Sequence, residues 1–324
     1  MRALAFALVA TLLAACASTG QPDQLGRRNP LVGRIWSVAD SRFVTEDELF
    51  ERLAARRYVL LGEKHDNPQH HQLQARVVAA LIKAGRKPAV AFEMIDEGQG
   101  PALDAFLAGK PTSAAGLGAA IGWEATGWPD WVLYAPIAEA ALAAGLPIRT
   151  ANLSRDGVHA VASEGWTALA PERVSRLALT TEPSEETRAA MSEEMRASHC
   201  GLLPDDSIAP MIRVQRVRDG LMAEALAKPG SDGAILIAGN GHVRRDRGAP
   251  WYLALLNPAP AAIVSFLEVA DGKTDAVAYG KTFDNRLPFD YLWFTARVDD
   301  TDPCERFRDQ LKALGKPMKP AGGS

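Results

Sequence analysis

Three observations predict an α/β fold with a mostly parallel sheet flanked by helices. Short apolar runs of strand length recur along the 324-residue chain, at Tyr58 to Leu61, Pro88 to Glu93, Leu146 to Asn152, Ala234 to Gly239 and Ala262 to Val269. Segments with helical periodicity lie between them. The runs are continuously apolar rather than alternating, as in strands covered on both faces, and such strand-helix alternation marks βαβ units. A hydrophobic content of 47% supports a substantial core.

Taken in order, the chain opens with MRALAFALVATLLAAC, which has one basic residue, an apolar stretch and small residues before a cysteine. That is the layout of a secretory signal, too short to span a membrane. Leu13-Ala14-Ala15-Cys16 resembles a bacterial lipobox, so residues 1–16 are expected to be a signal with lipobox and Cys16 the lipidated membrane anchor. An ordinary cleaved signal with a stray cysteine is the alternative. Residues 17–32 read as a polar tether.

Thr45-Glu46-Asp47-Glu48 is a capping box, and Leu49, Phe50 and Leu53 come next at helical spacing, predicting a helix to Arg56. The first apolar strand then ends at Gly62. Asn67-Pro68 pairs an N-cap with proline at the first helical position and opens a helix through Leu73, Val77, Val78 and Leu81. The second strand ends on Glu93, and a helix from Trp131 to Ala144 precedes the strand that ends on Asn152. Between Arg155 and Lys228 strand signals vanish, so residues 155–228 are expected to form an inserted helical subdomain, with starts at Ser184 and Asp205. Its last helix, from Ile208 to Ala227, is expected to return the chain to the sheet. After Val269 the turn-rich, aromatic segment to Cys304 is expected to be an antiparallel edge or cover, and residues 308–324 a tail.

A formal charge of −3 supplies no basic field, which argues against a nucleic-acid partner. Export would place Cys200 and Cys304 in an oxidising compartment, where they form a natural disulfide pair; two free thiols are the alternative.

Chemistry concentrates at VLLGEKHDNPQHHQ, residues 59–72, which holds three of the six histidines. Gly62-Glu63-Lys64-His65 has a counterpart in Gly239-Asn240-Gly241-His242, each directly after an apolar strand. Ligands of open α/β sheets gather beyond the carboxyl ends of the strands, and His65, Glu93, Asn152 and His242 all occupy such ends. Two imidazoles and a carboxylate can hold a divalent metal such as iron, zinc or manganese, with Glu63 and Asp66 orienting the ring nitrogens. The same groups can equally brace loops, with Glu93 paired to an arginine. Of His70 and His71, which point different ways, His70 is the better candidate for the cleft, a solvated or capping histidine being the equal alternative. His199 is explained by charge complementarity at a helix C-terminus, and His159 is left as surface.

Arg244, Arg245 and Arg247 come directly after the second G-x-x-H and point to an anionic ligand, a solvated loop being the alternative. Gln215, Arg218 and Asp219 share a helix face that can present Gln215 and Arg218 to the cleft. Trp123, Trp128 and Trp131 offer flat walls or core packing. The chain has no C-x-x-C-H, G-x-S-x-G, H-E-x-x-H or P-loop pattern.

With RYVLLGEKHDNPQHHQLQ, AVAFEM, HCGLLP, QRVRD, AGNGHVRRDRGAPWYL and DPCERF side by side, residues 33–307 resemble the ChaN-like haem-binding uptake lipoproteins. The wider superfamily resembled here includes Tiki and TraB-type proteins and erythromycin esterase-like hydrolases, which share paired histidine motifs and a glutamate; these match His65, His242 and Glu93. The resemblance implies an iron-regulated protein of the bacterial cell envelope, lipid-anchored on the outer membrane facing the periplasm, that binds haem between the subunits of a homodimer. In that setting Arg244, Arg245 and Arg247 would suit the propionates, and His65, His242, Tyr134 and Tyr252 are candidates to face the iron. The alternative is a metal-dependent hydrolase in which His65, Glu93 and His242 activate water. A third reading is a cleft that serves assembly without chemistry.

Overall fold

No residue between Tyr58 and Glu63 is exposed, and alternate side chains enter two different cores, Val59 and Leu61 on one side, Tyr58 and Leu60 on the other. A strand apolar on both faces needs helices on both sides. The computed structural model, which describes residues 25–283, 286–306, 308 and 309, has that three-layer form.

In chain order the elements are β1 (Ile35–Ser37), β2 (Arg42–Val44), α1 (Glu46–Ala54), β3 (Tyr58–Glu63), α2 (Pro68–Lys83), β4 (Ala89–Asp96), α3 (Gly100–Ala108), α4 (Leu117–Ala120), α5 (Trp131–Ala143) and β5 (Ile148–Asn152). The helices α6 (Arg155–Glu164), α7 (Pro171–Arg176), α8 (Glu185–Ser198) and α9 (Asp205–Ala227) succeed one another without an intervening strand. Then come β6 (Ala234–Gly239), α10 (Ala249–Leu256), β7 (Ala261–Glu268), β8 (Tyr291–Thr295) and α11 (Pro303–Arg306). The eight-stranded sheet has the order β2-β1-β8-β7-β3-β6-β4-β5. From β8 to β5 every neighbouring pair is parallel, while β1 runs antiparallel to β2 and β8.

Local chemistry sets the helix starts. Thr45 accepts a hydrogen bond from the Glu48 backbone N–H at the head of α1, and Asn67 accepts from Gln69 and His70 at the head of α2, where Pro68 needs no partner. On one face of the sheet Val77, Phe92, Trp123, Tyr134 and Trp293 pack with α1, α2 and α5; on the other Leu236, Val217, Met222, Tyr252 and Phe294 pack with α9 and α10. Among the described residues no helix is long and apolar enough to cross a membrane.

The segment after Val269 departs from the expected antiparallel edge. It turns through short helical turns at Ala276–Phe283 and re-enters the sheet as β8, parallel to β7 and interior to β1, with Leu292, Trp293 and Phe294 all buried. The antiparallel edge is the β1–β2 hairpin instead, whose three-residue strands are too short to show a pattern in sequence. Cys200, just past α8, is bonded to Cys304 in α11, with Cα atoms 5.6 Å apart. Residues 1–16, including Cys16, residues 17–24 of the tether and residues 310–324 of the tail lie outside the described residues.

Candidate functional site

Parallel strands deliver their carboxyl ends to one edge, and β3, β6, β4 and β5 are successive neighbours. The register Glu63↔Gly239 sets the two G-x-x-H loops side by side. Gly62 permits this closeness, because a Cβ there would lie 2.4 Å from Asn240 Oδ1 and Val243 Cγ2.

Glu93, buried at the end of β4, is the centre of the site. Its Oε2 accepts from the Gly239 backbone N–H at 2.7 Å, and its Oε1 accepts from Arg218 Nη2 at 2.6 Å. The two imidazoles close on it from either side, His242 Nε2 at 3.3 Å from Oε1 and His65 Nε2 at 3.8 Å from Oε2. Each ring is held from behind by a second carboxylate: His65 Nδ1 lies 2.8 Å from Glu63 Oε1, and His242 Nδ1 lies 2.7 Å from Asp219 Oδ1. The site is thus two histidine–carboxylate pairs facing a third carboxylate. Arg218 also donates to Asn152 Oδ1 at 2.8 Å, and Asn152 donates to the Glu93 carbonyl, which ties β5 to β4.

This arrangement sets the electrostatics. Burial by itself would raise Glu93, but the charges of His242, His65 and Arg218 outweigh it and hold the carboxyl well below its usual range. Burial would lower His242, yet Glu93 and Asp219 lift it to about 9. His65 is raised in the same way by Glu93 and Glu63 against its burial. Glu63 is held at about 2, burial being outweighed by the hydrogen bonds and charges of His65 and His71.

A cavity of about 450 Å³ opens above Glu93, between the sheet edge and α8 and α9 of the insertion. Its apolar wall includes Trp128, whose ring lies 4.8 Å from that of His65, with Met191, Met195 and Ile212. His199, Gln215 and Arg247 complete the polar side. Gln215 Nε2 reaches His242 Nδ1 at 2.9 Å, so Gln215, Arg218 and Asp219 all serve this site.

Several candidates go elsewhere. Arg244 is buried against Asp246, 2.7 Å away, and Arg245 pairs with Asp290 at 2.6 Å; neither lines the cavity, because acidic neighbours turn them aside. Arg247 does line it, paired with Glu194. Tyr134 lies behind the site, donating to Glu63 Oε1 at 3.0 Å, and Tyr252 is in the core bonded to Arg216 at 3.0 Å, so neither hydroxyl reaches the cavity. His70 turns toward β8, 2.8 Å from Thr295 Oγ1, and it is His71 that supports Glu63, with Nδ1 3.2 Å from Oε2. Asp66 pairs with Lys64 rather than with a histidine.

The divalent-metal expectation for His65, Glu93 and His242 gains no support from this geometry. The Arg218 guanidinium and the Gly239 N–H already hold the Glu93 oxygens. Among the described residues no group of three or more His, Cys, Asp or Glu is arranged to hold a metal ion. The sequence reading missed the role of His71 and the cavity wall of α8; the i, i+4 spacing of Gln215 and Asp219 was the available sign that Asp219 joins the site.

The sequence profile of a family described as "Haem-binding uptake, Tiki superfamily, ChaN" matches residues 49–253, well over half of the chain. No curated protein matches the sequence. Among solved structures the chain is similar to ChaN of Campylobacter jejuni with cofacially bound haem, at 20% identity and a TM-score of 0.62 over 80% of this chain and 95% of that one. The type III effector HopBA1 matches at 14% identity and a TM-score of 0.40 over 78% and 93% of the two chains. An erythromycin esterase, EreC, in its open conformation matches at 14% identity and a TM-score of 0.39 over 83% of each.

Proposed function

The chain belongs to the haem-binding uptake family of the Tiki superfamily, ChaN, and from that premise we propose that it is a lipid-anchored envelope protein that holds haem for iron uptake. The observation that carries this reading is the extent of the match, which spans both G-x-x-H loops and the helices α8 and α9 that wall the cavity. The donor chemistry fits the group. Trp128, Met191, Met195 and Ile212 supply apolar surface for a flat macrocycle, Arg247 a cation beside its carboxylates, and the volume of about 450 Å³ lies within the range of small-molecule sites. Bound haem would supply an iron to which a protein side chain could donate. Cys16 is the proposed lipidation site, on the outer membrane facing the periplasm, and a homodimer the proposed assembly.

Haemin titration of the purified protein, tracked by absorbance, tests the ligand: a saturable shifted band is expected, and its absence overturns the reading. Mass spectrometry of the mature N-terminus tests the anchor, and an unmodified peptide starting elsewhere would sink that part.

A second reading rests on the paired imidazoles. His65–Glu63 and His242–Asp219 both aim Nε2 at Glu93, an arrangement suited to metal-free acid–base hydrolysis. Hydrolysis of an ester by chelator-treated protein, abolished in His242→Ala, would favour it.

A further inference from the structure

We infer that α8 is a lid over the cavity and that the Cys200–Cys304 disulfide latches it shut, so that reduction of this bond by a dithiol opens the cavity. The inference concerns access to the site and stands apart from which ligand the site holds.

Packing alone holds α8 weakly. Of its fourteen residues only Met191 is buried, yet Met191, Glu194, Met195 and Ser198 all line the cavity. A helix with so little apolar surface in the core opens easily. Its ion pairs add little, because Arg196 meets the exposed Asp205 at 3.1 Å and Glu194, paired with Arg247, is itself exposed to solvent. Past its last turn, Cys200 and Gly201 both take left-handed backbone, at φ of 60° and 66°. Glycine adopts this conformation freely, whereas the Cβ of a cysteine opposes it. The turn at Cys200 is therefore held by the cross-link and not by local preference.

The other half of the bond is rooted in the body of the protein. Arg297 pairs with Asp271 at 2.7 Å and with Asp300 at 2.8 Å, and the Val298 N–H donates to Glu268 at the end of β7. Two residues past Cys304, Arg306 lies 3.6 Å from Asp66, in the loop that carries His65. His65 lines the same cavity as α8. The segment after β8 thus holds the lid at Cys304 and the opposite wall at Arg306, and the covalent contact is the one that fixes α8.

Neither cysteine is buried, so a small dithiol can reach the bond. One of its thiolates attacks a sulfur of the pair, forming a mixed disulfide and expelling the other cysteine as a thiolate. Its second thiol then displaces the remaining cysteine. Two electrons and two protons pass from the dithiol to Cys200 and Cys304, and the dithiol leaves as a cyclic disulfide.

The test is hydrogen–deuterium exchange of the full chain, read by mass spectrometry, in the oxidised protein, in the protein reduced with dithiothreitol, and in the double variant Cys200→Ser, Cys304→Ser. Amides of α8 should exchange about tenfold faster or more once the bond is gone, a larger gain than in β3 and β6, and reoxidation of the reduced protein should restore the slow rate. Carbethoxylation of His65 by diethyl pyrocarbonate should be about fivefold faster in the double variant, with the exposed His159 unchanged. An α8 rate that ignores reduction overturns the lid, and so does an equal gain in α8, β3 and β6, which would make the bond a brace for the whole fold. An unchanged rate at His65 overturns the claim that the lid controls access. Haemin titration does not enter this test, so the haem-binding reading and the lid fail separately.

Discussion

A methyl group on Gly239 would come within 2.8 Å of His65 Nε2 and 3.6 Å of Glu93 Oε2, so the floor of the site has no slack at this residue. Gly239→Ala must push the His65 ring or bend the end of β6, and overpacking of this kind costs about 1–3 kcal/mol. Urea denaturation should show the loss, and an unchanged midpoint would mean that the ring moves freely. His242 supplies a second prediction. Its folded pKa of about 9 lies above the free imidazole's value, near 6.5. Its stabilising contribution is therefore complete below about pH 6.5 and disappears as pH rises through about 9, with a slope of at most about 1.4 kcal/mol per pH unit. Stability of the parent and of His242→Gln, measured between pH 6 and 10, should converge toward the alkaline end. Parallel curves would show that the ring carries no extra proton in the fold.

At the scale of elements, α9 decides whether Glu93 can be buried. Arg218 reaches from this helix to Glu93 and Asn152, linking it to the ends of β4 and β5. Removing one partner of a buried pair leaves an uncompensated charge, so Arg218→Ala should cost about 2–3 kcal/mol after allowance for the partly exposed guanidinium, and Arg218→Lys less. Chemical denaturation of the two variants checks the order; equal losses would mean that packing rather than charge is at stake. The same helix carries Asp219 to His242 and Gln215 to the cavity, so α9 is part of the site as well as a cover for the sheet. Its residues Val217 and Met222 lie in the core with β6 and α10.

Over the whole molecule, the Cys200–Cys304 bond spans 104 positions and joins the helical insertion to the segment after β8. Closing a loop of that size removes unfolded-state freedom worth up to about 4–5 kcal/mol in the chain-entropy model. Denaturation of the oxidised protein against the double variant Cys200→Ser, Cys304→Ser should show a difference of that order or smaller. Identical midpoints would mean that the cross-link adds nothing to what packing already holds.

The positions of β3 to β7 and the gathering of His65, Glu93 and His242 were legible in the amino-acid order, because both depend on short stretches. Continuous apolar runs mark doubly covered strands, and parallel strands bring the loops at their carboxyl ends to a common edge. The starts of α1 and α2 were legible for the same reason, since Thr45 and Asn67 cap within three residues of themselves. The rest depends on partners far away in the chain. That β8 enters the sheet parallel to β7 depends on its pairing with β1, more than two hundred and fifty residues earlier. That Arg244 and Arg245 turn from the cavity depends on Asp246 and Asp290, and that His71 rather than His70 serves the site depends on how α2 rotates against β3 and β8. His199 reads in sequence as the end of a helix; only the packing of α8 over the sheet edge brings it to the cavity. Local propensity and hydrophobic pattern specify elements, but the direction of a charged side chain is settled by the nearest opposite charge in space, and tertiary packing alone supplies that neighbour.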